Sequence, residues 1–280
     1  MTAQLTAGAL LAQAAHRLSD PGSAVLEAQL LLAHVLGVTR TRVMTELEHL
    51  PEAGASQRYL ELIERRASGE PLAYILGWKE FWSLPLKVGP GVLVPRPETE
   101  LLVERTLTLR PQSSGRVADL GTGSGAIALA LATERPQWAI SATDVSPDAL
   151  VTAKANAAAL NLHGVEFLHG DWFEPLQGRM FDLLVSNPPY VAESDPAMQD
   201  PSLRYEPRIA LTPGTDPLRH LREIIHSASD HLERGGWLLL EHGAGQAREV
   251  ARELVGRGFR SVRSHRDLAG HERVTEAQHS

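Results

Sequence analysis

The chain is 280 residues long, 43% hydrophobic and 22% charged, an ordinary globular composition with length enough for one large domain or a medium domain with a small companion. Its formal net charge of −7 argues against a general nucleic-acid surface while leaving room for a local basic patch. The absence of cysteine excludes disulfides, thiolate metal clusters and cysteine nucleophiles, and it suits a reducing, cytoplasmic setting.

The opening stretch "MTAQLTAGALLAQAAHRL" lacks a basic start, and His16 and Arg17 interrupt its apolar run. It reads as an amphipathic helix rather than an export signal, and no later stretch approaches the roughly 18 to 20 apolar residues of a membrane span. From Thr6 to about Ala67 apolar residues recur at helical spacing: Leu10, Leu11, Ala14, Ala15 and Leu18, then Leu26, Leu30, Leu31 and Val35, with turn chemistry at "SDPGS" and "HLPEAG". This predicts a small helical domain over residues 1–70, either a packing element or a partner-recognition module. Residues 71–97 change texture. "YILGWKEFWSLPLKV" is aromatic and branched, so it predicts a short β-hairpin linker turning near Ser83 to Pro85, with Trp78 and Trp82 as a packing seam.

Residues 98–280 alternate strand and helix. "RVADLG" and "WAISATD" read as strands flanking the helix "GAIALALATE"; then come the helix "SPDALVTAKANAAAL" and the strands "VEFLHG" and "MFDLLVSN". Beyond a long polar loop lie the helix around "PLRHLREIIHSASDHL", the strand "WLLLEHG" and the helix "QAREVARELVGRG". Nearly continuous apolar strands must be covered on both faces, and helical crossovers make neighbours parallel. The expected fold is α/β: a doubly wound, mostly parallel Rossmann-like sheet behind a small helical domain and a hairpin. Ligands should lie outside the carboxyl ends of its strands.

"ADLGTGSGAIALA" places Gly121, Thr122, Gly123, Ser124 and Gly125 in the first strand-to-helix turn, where missing Cβ atoms let backbone approach a ligand. Asp144 closes the second strand, where a carboxylate can accept from both hydroxyls of a ribose. "GTGSGA" also satisfies a loose dinucleotide pattern, but Asp119 just before the glycines would repel a pyrophosphate and suit a cofactor with an amino group and a positive sulfur. At the third strand end, Asp171 can meet an adenine amino group and Trp172 can lie against a purine.

Asn187, Pro188, Pro189 and Tyr190 end the fourth strand beside that path. An amide or aromatic amine is a poor nucleophile because its lone pair is delocalised, so a site that alkylates it must hold both N–H groups and aim the lone pair. The Asn187 oxygen can accept one N–H and the Pro188 carbonyl the other, the prolines restrict the backbone, and Tyr190 can stack on the flat target.

Asp119 to Gly125 together with Asn187 to Tyr190 resemble the S-adenosylmethionine-dependent amino-methyltransferases. "GEPLAYILGWKEFWSLPLKV" followed by "LVPRPETE" resembles a narrower group, the peptide chain release factor N5-glutamine methyltransferases, and the similarity covers nearly the whole chain. The resemblance implies transfer of a methyl group from S-adenosylmethionine to the glutamine of a Gly-Gly-Gln loop in release factors 1 and 2. It assigns the glycine loop to the methionine end of the cofactor, Asp144 to its ribose, Trp172 to its adenine surroundings, and Asn187 to Tyr190 to the glutamine pocket. It also implies that the N-terminal helices contact the release factor. We expect a cytoplasmic monomer with no stable nucleic-acid partner.

Arg96, Glu98 and Glu100 in "PRPETE" fit a wall near the cofactor, although Pro97 and the acidic turn are equally a helix start. No general base stands out and none is needed for transfer from a sulfonium. The histidines, including His163, His169, His226 and His231, show no metal-binding spacing, so no metal is expected. The stretch from Val191 to Pro217 is long for a structureless loop. It reads as a lid or wall over the glutamine pocket, with Arg204 or Arg208 touching a partner or pairing with Glu206. Two further readings are a nucleic-acid adenine N6-methyltransferase, reached by base flipping, and a non-catalytic cofactor-binding scaffold. The charge of −7 disfavours the first and the intact motifs the second.

Overall fold

A computed structural model describes residues 5–18, 22–110, 112 and 114–280. The chain divides into two compact units, residues 1–77 and 78–280.

The first unit is helical: α1 (Ala7–Ala15), α2 (Ala24–Leu36), α3 (Arg40–Thr45), α4 (Ala53–Ala67) and α5 (Leu72–Leu76). Local chemistry sets the ends. Thr6 and Thr39 accept the N–H groups of Ala9 and Arg42, and Gly37 and Gly77 close α2 and α5 in the left-handed region. Leu10, Ala14, Leu31, Leu32, Tyr59 and Ile63 form its core. The buried stripe of α2 runs through Ala24, Ala28, Leu31 and Leu32, so Leu26, expected on the core face, is exposed. The turn expected at residues 19–23 falls mostly outside the described residues.

The second unit opens with a hairpin, β1 (Trp78–Phe81) and β2 (Leu84–Lys87), paired antiparallel. Its two-residue turn is Trp82-Ser83, both at positive φ (52° and 59°), the geometry of a type I′ turn made without the usual Asn-Gly. Glu100 takes the Trp82 N–H at 2.8 Å and Glu134 takes its indole N–H at 2.8 Å. Trp78 is exposed while Trp82 packs partly against the core, so the expected seam of two tryptophans does not form.

Then follow α6 (Glu100–Leu109), β3 (Arg116–Leu120), α7 (Ala126–Glu134), β4 (Ala139–Asp144), α8 (Pro147–Ala159), β5 (Val165–His169), β6 (Phe181–Ser186), α9 (Arg219–Ala228), β7 (Leu232–Glu241), α10 (Ala247–Gly256), β8 (Arg260–Arg266) and β9 (Glu272–Gln278). The sheet order is β5-β4-β3-β6-β7-β9-β8. The first five strands are parallel, and β9 and β8 close one edge antiparallel. It is a doubly wound, mostly parallel α/β sheet.

Alternation along the strands builds two core layers. Val117, Leu183, Val185 and Leu239 face the layer that includes α6, α7 and the hairpin. Ala118, Leu184, Leu238 and Leu240 face the layer that includes α9 and α10. Strand order reverses direction at β3 and β6, which puts the turns after Leu120 and Ser186 on either side of one crevice.

Asn156 on α8 stitches the hairpin to that crevice. Its Nδ2 donates to the carbonyls of Lys87 and Ser124 at 3.1 and 2.9 Å, and its Oδ1 accepts the Lys87 N–H at 2.7 Å. The side chain is buried, so Asn156→Ala leaves backbone groups unpaired and is expected to cost about 2 to 3 kcal/mol in urea unfolding. An unchanged midpoint would remove this stitching role.

Candidate active site

One cavity of about 320 Å³ opens over the carboxyl ends of the strands, and its lining includes Thr99, Gly121 to Ser124, Asp144, Asp171, Trp172, Asn187 and Pro189. The structure thus brings most of the expected site residues to one place. Four stand apart from the lining: Asp119, Gly125, Pro188 and Tyr190.

Gly121 and Gly125 show why the turn is built of glycine. Gly121 has φ of +72°, and a Cβ there would sit 3.1 Å from the Trp172 ring. Gly125, at φ +86°, starts α7, and a Cβ would press on Leu129 at 3.1 Å and Ala153 at 3.2 Å. A side chain at Gly125 would therefore disturb the packing of α7 on α8. Trp172 is held at a left-handed φ of 41°, an uncommon conformation for a large side chain. Its carbonyl accepts the Thr143 hydroxyl at 3.0 Å, and its ring lies 5.4 Å from that of His220.

Asp144 accepts the Gly123 N–H on Oδ2 and the Ser146 N–H on Oδ1, both at 2.8 Å. Burial raises its pKa, against the lowering effect of those two bonds. Each oxygen retains a lone pair for a further donor. Asp171 lines the cavity with an exposed side chain.

Asp119 lies fully buried beneath the loop. Its Oδ2 accepts the Thr122 hydroxyl at 2.6 Å and the Ala128 N–H at 3.2 Å, while Oδ1 has no partner among the described residues. The direct cofactor contact expected of it is replaced by a structural one: it ties the glycine turn to the first turn of α7. Burial pushes its carboxyl up to about 7. A carboxyl whose pKa is raised on folding binds its proton more tightly in the folded state, so its contribution to stability is lost as pH rises from about 4 through about 7. Asp119→Asn keeps an acceptor and removes the charge. Its thermal midpoint should exceed that of the wild type at pH 8, with the gap closing at pH 5; a constant gap would contradict the assignment.

At the end of β6 the Asn187 Nδ2 donates to the Thr99 hydroxyl oxygen at 3.0 Å. Its Oδ1 remains accessible, with no partner among the described residues. Thr99 is buried and lines the same cavity; it lay between the two glutamates that drew attention in "PRPETE". Glu98 is exposed, and Glu100 holds the hairpin turn. Tyr190 departs from expectation. Its hydroxyl donates to Glu241 Oε1 at 3.0 Å and its ring packs against the layer beneath the sheet, so it braces the loop instead of stacking on a target.

Residues 191–217 form part of the cavity wall through Pro207, Ile209, Ala210 and Thr212. Glu206 accepts from Arg96 at 2.5 Å and from the Val94 N–H at 2.9 Å, and Arg208 pairs with Glu193 at 2.8 Å. Glu206 is thus anchored by Arg96 across the cavity wall, and of the two arginines expected to touch a partner or pair with Glu206, Arg208 pairs with Glu193 instead.

Two family models match: the PrmC N-terminal domain over residues 9–77 and the methyltransferase small domain over residues 97–200. Among curated relatives, the release factor glutamine methyltransferase of Coxiella burnetii is 46% identical over 254 residues, covering 90% of this chain and 91% of the relative. That of Pseudomonas aeruginosa is 47% identical over 263 residues, 94% and 95% of the two chains. The chain belongs to the release factor glutamine methyltransferase family. Among solved structures, the catalytic domain of hMettl16 bound to an RNA hairpin is similar at a TM-score of 0.57, with 19% identity over 81% of this chain and 82% of that one. At that identity the likeness concerns the fold alone.

Among the described residues, no helix is long and apolar enough to cross a membrane.

Proposed function

We propose that this chain transfers a methyl group from S-adenosylmethionine to the side-chain amide nitrogen, N5, of the glutamine in the Gly-Gly-Gln motif of peptide chain release factors 1 and 2. The observation that carries the reading is the Asn187 amide: its nitrogen is held by Thr99, and its oxygen is left accessible at the cavity wall. That oxygen and, from between the lining residues Asn187 and Pro189, the Pro188 carbonyl accept the two N–H groups of a primary amide, which fixes the plane of the amide and the direction of its lone pair. The same acceptors stabilise positive charge that grows on nitrogen during transfer. A proton can leave afterwards, so the site works without a general base.

The cavity fits the cofactor that the family uses. Backbone at Gly123 meets open space where a Cβ would stand, Asp144 offers free lone pairs beside it, and the Trp172 ring supplies an apolar face. Gly121 to Ser124 would hold the methionine end, Asp144 the ribose, and Asp171 with Trp172 the adenine. When bound, S-adenosylmethionine supplies an electrophilic methyl group on a positive sulfur. The helical residues 1–70 engage the release factor, residues 71–97 link, residues 98–280 carry out the transfer, and the enzyme acts as a cytoplasmic monomer.

Mass spectrometry of a release factor treated with enzyme and cofactor tests the chemistry. The added methyl should lie on the side-chain nitrogen of that glutamine, and a methyl on any other residue would overturn the reading.

A further inference from the structure

The clamp proposed for the substrate amide supplies acceptors only: the Asn187 oxygen and the Pro188 carbonyl both take N–H groups. A glutamine preceded by two glycines has no side chain on that side to be recognised, so what remains to be held is main chain. A peptide carbonyl carried into a cavity needs a donor there, because a buried acceptor left unpaired costs more than the bond itself would contribute.

Arg96 can supply that donor. It lines the cavity with its side chain 34% exposed. It caps the short 3₁₀ turn Pro97–Thr99, whose Thr99 N–H returns to the Arg96 carbonyl at 3.1 Å. That turn sets Arg96 beside Thr99, which takes the Asn187 amide N–H at 3.0 Å and lines the same cavity. One guanidinium nitrogen, Nη2, donates to Glu206 Oε1 at 2.5 Å, and among the described residues the guanidinium makes no other hydrogen bond. Its remaining N–H groups are therefore free to donate. Glu206 is itself buried, and its second oxygen accepts the Val94 N–H at 2.9 Å, so the guanidinium is held by a fixed carboxylate. The pairing also offsets the Arg96 charge, which would otherwise repel a sulfonium brought into the same cavity. The second arginine of the lining, Arg219, is engaged elsewhere. Its Nη2 donates to His220 Nε2 at 3.0 Å, and the His220 ring lies 5.4 Å from that of Trp172, at the end proposed for the adenine.

We propose that Arg96, oriented by Glu206, is a substrate-binding residue that donates to a main-chain carbonyl of the release factor loop carrying the target glutamine. The inference rests on the reading of Asn187 as the acceptor for the glutamine amide. A guanidinium suits the task because its donors are coplanar and several, so one edge can stay on Glu206 while another meets the substrate. A lysine ammonium at this position can reach either partner but fixes neither in a plane. A main-chain carbonyl away from the reacting nitrogen changes little during transfer, so the contact holds the factor in place and leaves the transfer rate nearly untouched.

The test is steady-state methylation of an intact release factor at saturating cofactor, with calorimetric titration of the cofactor, for the wild type, Arg96→Ala, Arg96→Lys and Glu206→Gln. Arg96→Ala should raise KM for the factor at least tenfold, while kcat and the cofactor dissociation constant change by less than about threefold. Arg96→Lys should recover part of that loss. Glu206→Gln keeps the guanidinium but loosens it, and should raise KM by less than Arg96→Ala does. Equal rises for Arg96→Ala and Glu206→Gln would mean that the pair only ties two walls together, which overturns the proposal. An unchanged KM overturns it too, as does a loss of cofactor affinity in Arg96→Ala, which would put the guanidinium on the cofactor carboxylate. Should Arg96→Ala fail to fold, a wild-type KM for Arg96→Lys overturns it. All of these results leave the proposed function standing while the wild type places its methyl on the glutamine; a wild type that methylates another residue removes function and proposal together.

Discussion

Asn187→Ala should lower the single-turnover rate of methyl transfer by a hundredfold or more while leaving cofactor affinity nearly unchanged. The substitution removes the accessible Oδ1, so one substrate N–H has no acceptor and the glutamine nitrogen can turn away from the methyl group. Deleting a hydrogen bond that counts in the transition state costs roughly 2.7 to 4 kcal/mol, a factor of about a hundred to a thousand. Asn187→Asp is the sharper variant. It keeps an oxygen toward the substrate but loses the Nδ2–H now donated to Thr99 at 3.0 Å and adds a negative charge at the cavity wall. Aspartate should therefore be nearly as damaged as alanine. A near-normal rate for alanine removes Asn187 from the chemistry, and a near-normal rate for aspartate removes the anchoring by Thr99.

The second large effect falls on cofactor binding. Asp144→Ala should weaken the cofactor by about 1.5 to 3 kcal/mol, the loss of a charge-assisted pair of hydrogen bonds, with a much smaller effect on transfer at saturating cofactor. The carboxylate also organises its own surroundings, accepting the Gly123 and Ser146 N–H groups at 2.8 Å each. Asp144→Asn retains an acceptor for only one of them and should fall between alanine and wild type. Calorimetric titration separates these outcomes, and an unchanged dissociation constant for alanine rules out the ribose role.

What the sequence made legible was whatever lies close together along the chain. The glycine turn sits between a strand and a helix within a few residues, Asp144 ends a strand, Trp172 follows one by three residues, and Asn187-Pro188-Pro189 follows an apolar run; strand order alone then converges them. The partners of those residues lie far off in sequence. Thr99 meets Asn187 across 88 positions and Asn156 meets Lys87 across 69, and no local pattern marks either pairing. Glu241, which takes the Tyr190 hydroxyl, carries no local signal either. Its place next to Tyr190 depends on β7 lying beside β6.

The same cause explains the role of Tyr190. Tyr190 follows the clamp directly and an aromatic there suits a flat target, yet its hydroxyl finds a buried carboxylate 51 residues away. Asp119 carries a chemically sensible charge for a cofactor amine but points beneath the turn, where Thr122 and Ala128 take it. The strands β8 and β9 escaped notice because "RSVRSHR" and "ERVTEAQ" carry charges in the positions where core strands are apolar. Of the two, β8 is the edge strand, where charged side chains also guard against pairing with other chains.

Transfer of labelled methyl from S-adenosylmethionine to purified release factor, to the same factor with its Gly-Gly-Gln glutamine replaced, and to DNA, measured in parallel, tests the central claim most directly. Label should enter the intact factor alone. Label in DNA, or equal label in the glutamine-replaced factor, would contradict the account.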